Sequence, residues 1–300
     1  MGRLTACAVG LVLALSPAAA RPQFRASTDV VHLPVVVSGR DGQAISGLAV
    51  EDFEVREDGR PQRIQFFSRG SSGDTLPLHL GLLLDTSESM QKDLPDAMTA
   101  CIQFVNAVED SVDVTLVDFD TTVRIGLFEP PSYPMLFERI RARRASGMTA
   151  LWDALGAYVG KAMAREGQHV LIVYSDGGDS SSTLTFGKLD ELLRLSTNVV
   201  VYAIGYLENQ GSSGRLEQQM RLTQMASETG GKAFFPASGK QMKGIYEQIL
   251  KELGARYTLG YVSTNTLTDG RFRKIDVKVT RADTKGVSVR TRPGYFAARR

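Results

Sequence analysis

The chain has 300 residues, 43% of them hydrophobic and 23% charged. That is the balance of a folded globular protein with material for one large core or two smaller ones. A formal net charge of +2 is too small to mark nucleic acid as a general partner.

The first twenty residues read as a targeting segment. Arg3 supplies a positive start, an apolar stretch runs from near Leu4 through "LVLALSPAAA" (11 to 20), and small residues precede Arg21. The stretch is broken at Ser16 and Pro17 and is short for a bilayer span. The expectation is a signal peptide over 1–20 and an exported chain, periplasmic or secreted, with no integral span after its removal. Cys7 precedes most of the apolar stretch, which argues against lipid attachment there. Cys101 then has no internal disulfide partner. It shares an apolar helical face with Leu94, Ala97, Met98, Val105 and Val108, as a packing residue does. His32, His79 and His169 are scattered, without zinc-type spacing.

From about residue 29 to 68 the chain alternates apolar and polar residues, with turn signals at "RDG" and "EDG". Near residue 74 the pattern changes to strands and helices in alternation. "LHLGLLLD" (78 to 85), "HVLIVYSD" (169 to 176) and "NVVVYAIGY" (198 to 206) are strands apolar throughout, as burial on both faces requires. "VDVTLVDF" (112 to 119) is a fourth, with "TVRIGLF" (122 to 128) as its hairpin partner. Helices are expected over about 93–109, 150–167, 186–196, 216–228 and 240–253, the fourth stopped by the glycines of "TGG" (229 to 231). Such alternation predicts an α/β fold: a doubly wound, mostly parallel sheet with helices on both faces.

Residues 256–296 return to hairpin chemistry. Segments 29–68 and 256–296 each hold too few strands to stand alone. The economical arrangement pairs both ends into one small β-sandwich around an inserted α/β unit, giving segments 21–73, 74–253 and 254–300. Charge agrees: 271–300 carries ten Lys and Arg against two Asp and Glu, whereas 29–68 carries seven acidic against four basic residues.

Parallel strands place their carboxyl ends on one edge, where ligands of open sheets bind. Asp85, Ser87 and Ser89 of "GLLLDTSESM" leave the first buried strand there. Asp176 of "YSDGGD" ends the third, and Thr149 of "SGMTALWDAL" precedes a helix. Two carboxylates and three hydroxyls are hard oxygen donors, which select Mg²⁺, Mn²⁺ or Ca²⁺ over zinc or copper. The two aspartates roughly neutralise a divalent cation, and a partner's carboxylate can take an open position. Other readings are weaker. Ser87 or Ser89 as a helix cap explains one serine and not the set. Asp120 and Asp179 read as turn residues, Glu88 as solvated, Trp152 and Phe119 as core. Residues 180–182 read as loop. No G-x-S-x-G elbow or P-loop appears, and no general base stands out beside the metal set for metal-assisted hydrolysis.

The pattern Asp85-x-Ser87-x-Ser89 with Thr149 and Asp176 downstream resembles the metal-ion-dependent adhesion site (MIDAS) of von Willebrand factor type A (VWA) domains. "SGMTALWDAL", "VLIVYSDGGD" and "ASETGGKAFF" resemble that family's segments in its usual order, over roughly 75–253. The flanks "GLAVEDFEVREDGRPQRIQFF" and "VRTRPGYFA" resemble those of exported bacterial VWFA-related proteins of acidobacterial type. The resemblance implies that Ser87, Ser89 and Thr149 coordinate a cation, Mg²⁺ first. Asp85 and Asp176 would bind it directly or through water. An acidic side chain of a protein ligand would complete the shell, in an adhesion module without catalysis. A cell-envelope scaffold with a purely structural metal, or a metal-assisted hydrolase, are the alternatives.

Overall fold

The computed structural model describes residues 30–70, 76–108, 111–208, 212–281 and 286–299. The expected signal peptide and the following residues to 29 lie outside them. Strand β1 (Val30–Ser38) is followed by β2 (Phe53–Glu57), β3 (Arg60–Gln62) and β4 (Ile64–Arg69). The alternating unit then runs β5 (Leu78–Asp85), α1 (Leu94–Ala107), β6 (Ser111–Phe119), β7 (Val123–Phe128), α2 (Tyr133–Arg141), α3 (Leu151–Met163), β8 (Gln168–Ser175), α4 (Phe186–Leu195), β9 (Val199–Gly205), α5 (Ser212–Glu228), β10 (Lys232–Phe234) and α6 (Met242–Ala255). The chain closes with β11 (Tyr257–Val262), β12 (Phe272–Val279), β13 (Ser288–Arg290) and β14 (Gly294–Phe296).

Six strands form the central sheet in the order β10-β9-β8-β5-β6-β7. All neighbours are parallel except β7, which returns antiparallel along β6. The unbroken apolar runs of β5, β8 and β9 follow from cover on both faces. Leu80, Leu82 and Leu84 join α1 and α6 in one core, while Leu83, Leu171 and Val173 join α3, α4 and α5 in another. Cys101 is fully buried in the first, as its helical spacing predicts.

Helix α2 was not expected. It is short, begins with Pro134 near its first turn, and carries two arginines in its last turn. Only Leu136 and Ile140 are buried, an i, i+4 pair too brief to stand out as a periodicity. Helix α3 ends at Met163, four residues before the expected Gly167, whose φ of +113° serves the turn into β8.

The two ends of the chain do interleave. They make two antiparallel sheets, β13-β1-β11-β4 and β14-β12-β2-β3, each drawing strands from both ends. Leu33, Val35, Phe53, Val55, Tyr257, Leu259, Ile275 and Val277 share the core between them. Buried Glu57 is satisfied there, accepting from Tyr261 Oη at 2.7 Å, Tyr295 Oη at 2.9 Å and Ser263 Oγ at 2.6 Å. The C-terminal segment also reaches the α/β unit. Arg292, with no exposed surface, donates to the carbonyls of Leu193, Arg194 and Ser196 at the end of α4. These are carbonyls that the last turn of a helix leaves without intrahelical partners.

Candidate metal centre

β5 delivers Asp85 to the carboxyl edge of the sheet, in register with Phe119 of β6. Asp85 has no exposed surface, Ser87 is 1% exposed and Asp176 2%. The Asp85 carboxylate is held on both sides. Oδ1 accepts from the Ser87 backbone N–H at 2.9 Å and from Ser87 Oγ at 2.6 Å, and Oδ2 accepts from Ser175 Oγ at 2.6 Å. Ser87 Oγ lies 3.1 Å from Ser89 Oγ, so the hydroxyls continue outward from Asp85 toward solvent, where Ser89 is exposed. The serines are not helix caps. The short 3₁₀ turn Glu88–Met90 receives no side-chain bond from Ser87, and α1 begins after Asp93.

Thr149 reaches the same edge from the segment before α3. Its N–H donates to Ser180 Oγ at 3.0 Å, and its carbonyl accepts from the N–H groups of Ser180 and Ser181. That ties it to the turn that carries Asp176. The preceding residues lie over the β5 exit: Ser146 N–H donates to Thr86 O at 2.9 Å, and Glu88 N–H to Gly147 O at 3.1 Å. Asp176 shapes its own turn by accepting from Gly178 N–H at 2.9 Å. Gly177 adopts φ +80°, and a Cβ there would meet Leu222 at 2.9 Å. Five residues from three separate stretches of chain therefore converge on one edge, four of them buried.

Burial and like charge set the ionisation of this edge. Burial, and then the neighbouring Asp176 carboxylate, push Asp85 up to about 7, against the opposing bonds from Ser175 and Ser87. Two close, buried carboxylates beside neutral hydroxyls are a donor set that fits a hard divalent ion. Among the described residues no group of three or more His, Cys, Asp or Glu is placed to hold a metal, so any cation at this edge would depend on hydroxyls as well as carboxylates.

Several groups at the edge escape a reading of the sequence. Ser175 reads as an ordinary strand residue, although its position beside Asp176 makes it a candidate. Asp179 is more than a turn residue: its Oδ1 accepts from Trp152 N–H at 3.1 Å and Ser182 Oγ at 2.6 Å, anchoring the start of α3. Asp120 takes two bonds from Arg124, at 2.9 and 3.2 Å. Buried Asp118 holds three guanidiniums, those of Arg124 and Arg139 at 2.6 Å and Arg143 at 3.3 Å. The signal was present as "RIRARR" (139 to 144), directly before "ASGMT". Phe119 is core, as expected. Trp152 packs edge-on against Phe186 and lines, with Arg221, Gln218, Gly177 and Gly178, a cavity of about 290 Å³ beside Asp176.

Comparison with known proteins places this geometry in a family. The profile of the von Willebrand factor type A domain matches residues 79–248. No curated protein matches the chain. Among solved structures, a von Willebrand factor type A protein from Catenulispora acidiphila is 12% identical, with a TM-score of 0.47 over 82% of this chain and 73% of that one. BatB from Bacteroides thetaiotaomicron is 14% identical, with a TM-score of 0.44 over 58% of this chain and 98% of that one. Proximal thread matrix protein 1 from the mussel byssus, with a zinc-occupied MIDAS motif, is 20% identical at a TM-score of 0.48, over 66% of this chain; the chain spans about half of that protein's length, 49%. Among the described residues no helix is long and apolar enough to cross a membrane. With the matched profile covering more than half of its length, the chain belongs to the von Willebrand factor type A domain family.

Proposed function

We propose that this protein is an exported, divalent-cation-dependent protein-binding module of the cell envelope or its surroundings. Its site would capture an acidic group of a protein partner. Asp85, Ser87, Ser89, Thr149 and Asp176 would hold the ion, with Mg²⁺ favoured and Mn²⁺ or Ca²⁺ compatible with the same oxygens. When bound, the ion supplies a compact positive charge to which a partner's carboxylate can attach. This chain's residues do the rest. Ser87 and Ser175 orient Asp85, and the bonds of Thr149 to Ser180 and Ser181 hold its segment against the Asp176 turn. The observation that carries the reading is the pair of buried carboxylates, Asp85 and Asp176, at the open edge of the sheet beside the Ser87 and Ser89 hydroxyls.

The test is calorimetric titration of Mg²⁺, Mn²⁺ and Ca²⁺ into chelator-treated protein, compared with Asp85→Ala and Thr149→Ala. Wild type should bind one ion; Asp85→Ala should lose it, and Thr149→Ala should bind at least about tenfold more weakly, as loss of a ligand implies. Both variants should keep their circular dichroism spectra. Unchanged titrations in both variants would sink the reading.

A further inference from the structure

The metal edge is flanked by an arginine rim that the site itself does not require. Arg124 on β7, Arg139 on α2 and Arg143 after it pair with Asp118 or Asp120, and exposed Arg141 and Arg144 stand beside them in the chain. With Glu138 of α2 added, five guanidiniums stand against three carboxylates. Asp118 is shared by Arg124, Arg139 and Arg143, Arg124 is paired with Asp120 as well, and Arg141 and Arg144 are exposed. The rim is continuous with the site. Arg124 Nη2 lies 3.3 Å from Thr86 Oγ1, between Asp85 and Ser87 in the chain, and the residues after Arg144 lead directly to Thr149.

The segment from 142 to 150 has no regular secondary structure but is pinned along its length. Ser146 bonds Thr86, Gly147 bonds Glu88, Met148 N–H donates to Thr121 Oγ1 at 2.9 Å, and Ala150 N–H to Asp120 O at 2.9 Å. Arg144 Nη1 closes its start on the carbonyls of Arg141 and Arg143. Such a platform meets a ligand without first being ordered, which favours affinity. Between the arginines and Thr149, Met148 is 54% exposed. An exposed thioether chain among guanidiniums suits a polypeptide, with apolar as well as charged groups, better than a uniformly charged polyanion.

We propose that this rim docks an acidic segment of the partner protein, so that one carboxylate goes to the metal edge and its neighbours in the partner's sequence go to Arg141, Arg143 and Arg144. This rests on the metal-site reading above and narrows it: the partner offers clustered carboxylates, not a solitary one. Guanidiniums suit the task because their planar fork can pair with a carboxylate through two hydrogen bonds.

The test uses the full chain and two immobilised peptides of equal length, hexaglutamate and a neutral peptide with one central Glu, in Mg²⁺ and in chelator. The variants are R141E/R144E, R141E alone as a milder change, and a distal control of equal charge change, K274E/K278E on exposed positions of β12. In Mg²⁺, wild type and the control should bind hexaglutamate at least about tenfold more tightly than the single-Glu peptide, the scale of a few charge pairs. R141E/R144E should lose that preference while titrating Mg²⁺ like wild type, and R141E should lose part of it. Equal affinity of wild type for the two peptides would overturn the rim and leave the metal site standing. So would an equal loss in the distal control, or tighter binding of a single-stranded DNA oligonucleotide than of hexaglutamate. If chelation leaves hexaglutamate binding intact while R141E/R144E abolishes it, the metal reading falls and the rim survives.

Discussion

At Asp85, protons and a cation would compete for the same two oxygens. Burial and Asp176 hold its carboxyl near 7, so below that pH the group is increasingly protonated and a bound ion must displace the proton. Cation affinity, measured by calorimetry between pH 8 and 6, should fall as pH falls, and the binding enthalpy at pH 6.5 should vary with the ionisation heat of the buffer, its slope counting the protons released. A pH-independent affinity over that range would mean that Asp85 is already ionised in the free protein. At this scale the sequence is informative where chemistry repeats at fixed spacing. Asp85, Ser87 and Ser89 alternate along one exit from a strand, which is legible in one dimension. Ser175 and the Arg139 guanidinium on Asp118 are not, because their roles arise from neighbours 90 and 21 residues away.

Among the elements, the turn from α5 into β10 shows what residue types alone hide. "TGG" reads as a helix stop, and Gly230 at φ +80° fills that role. Its neighbours have a second task at β9. Thr229 Oγ1 accepts from Val201 N–H at 2.9 Å while donating to Ala226 O, and Gly231 lets the chain pass so close to Val201 that a Cβ would lie 1.8 Å from its carbonyl oxygen. The obstacle is strand backbone and has nowhere to turn. Gly231→Ala should therefore cost about 3 kcal/mol, the upper end for overpacking, read as a shift in the urea midpoint. A shift below a few tenths of a kcal/mol would show that β10 can move aside. The doubly buried strands were legible because burial on both faces removes polar residues altogether. Helix α2 was not, since it fully buries only Leu136 and Ile140, and its apolar residue Met135 does not fall into one helical stripe with them.

For the whole molecule, the interleaving of the two chain ends followed from a counting argument, that neither holds enough strands alone. What joins the sandwich to the α/β unit did not, because Arg292 looks like any basic strand residue until its guanidinium is found buried against the end of α4. Burial lowers it to about 10, so it remains charged at neutral pH and binds helix carbonyls as a cation does. Arg292→Met keeps the side-chain bulk and should cost about 3 kcal/mol through the abandoned carbonyls, measured by denaturant unfolding; no change would mean that water takes over the end of α4. The junction has another consequence. The chain enters the α/β unit after Gly70 and leaves it at Arg256, and these two are hydrogen-bonded, Gly70 N–H to Arg256 O at 2.7 Å, with Arg69 beside Tyr257 in paired strands. Asp85 lies at the far end of the eight-residue β5, about 23 Å along the strand from Leu78. A pull on anything held at that far edge runs down the sheet toward the place where Gly70 and Arg256 are bonded. The load then meets the sandwich at two paired strands, β4 and β11, and not at a single one.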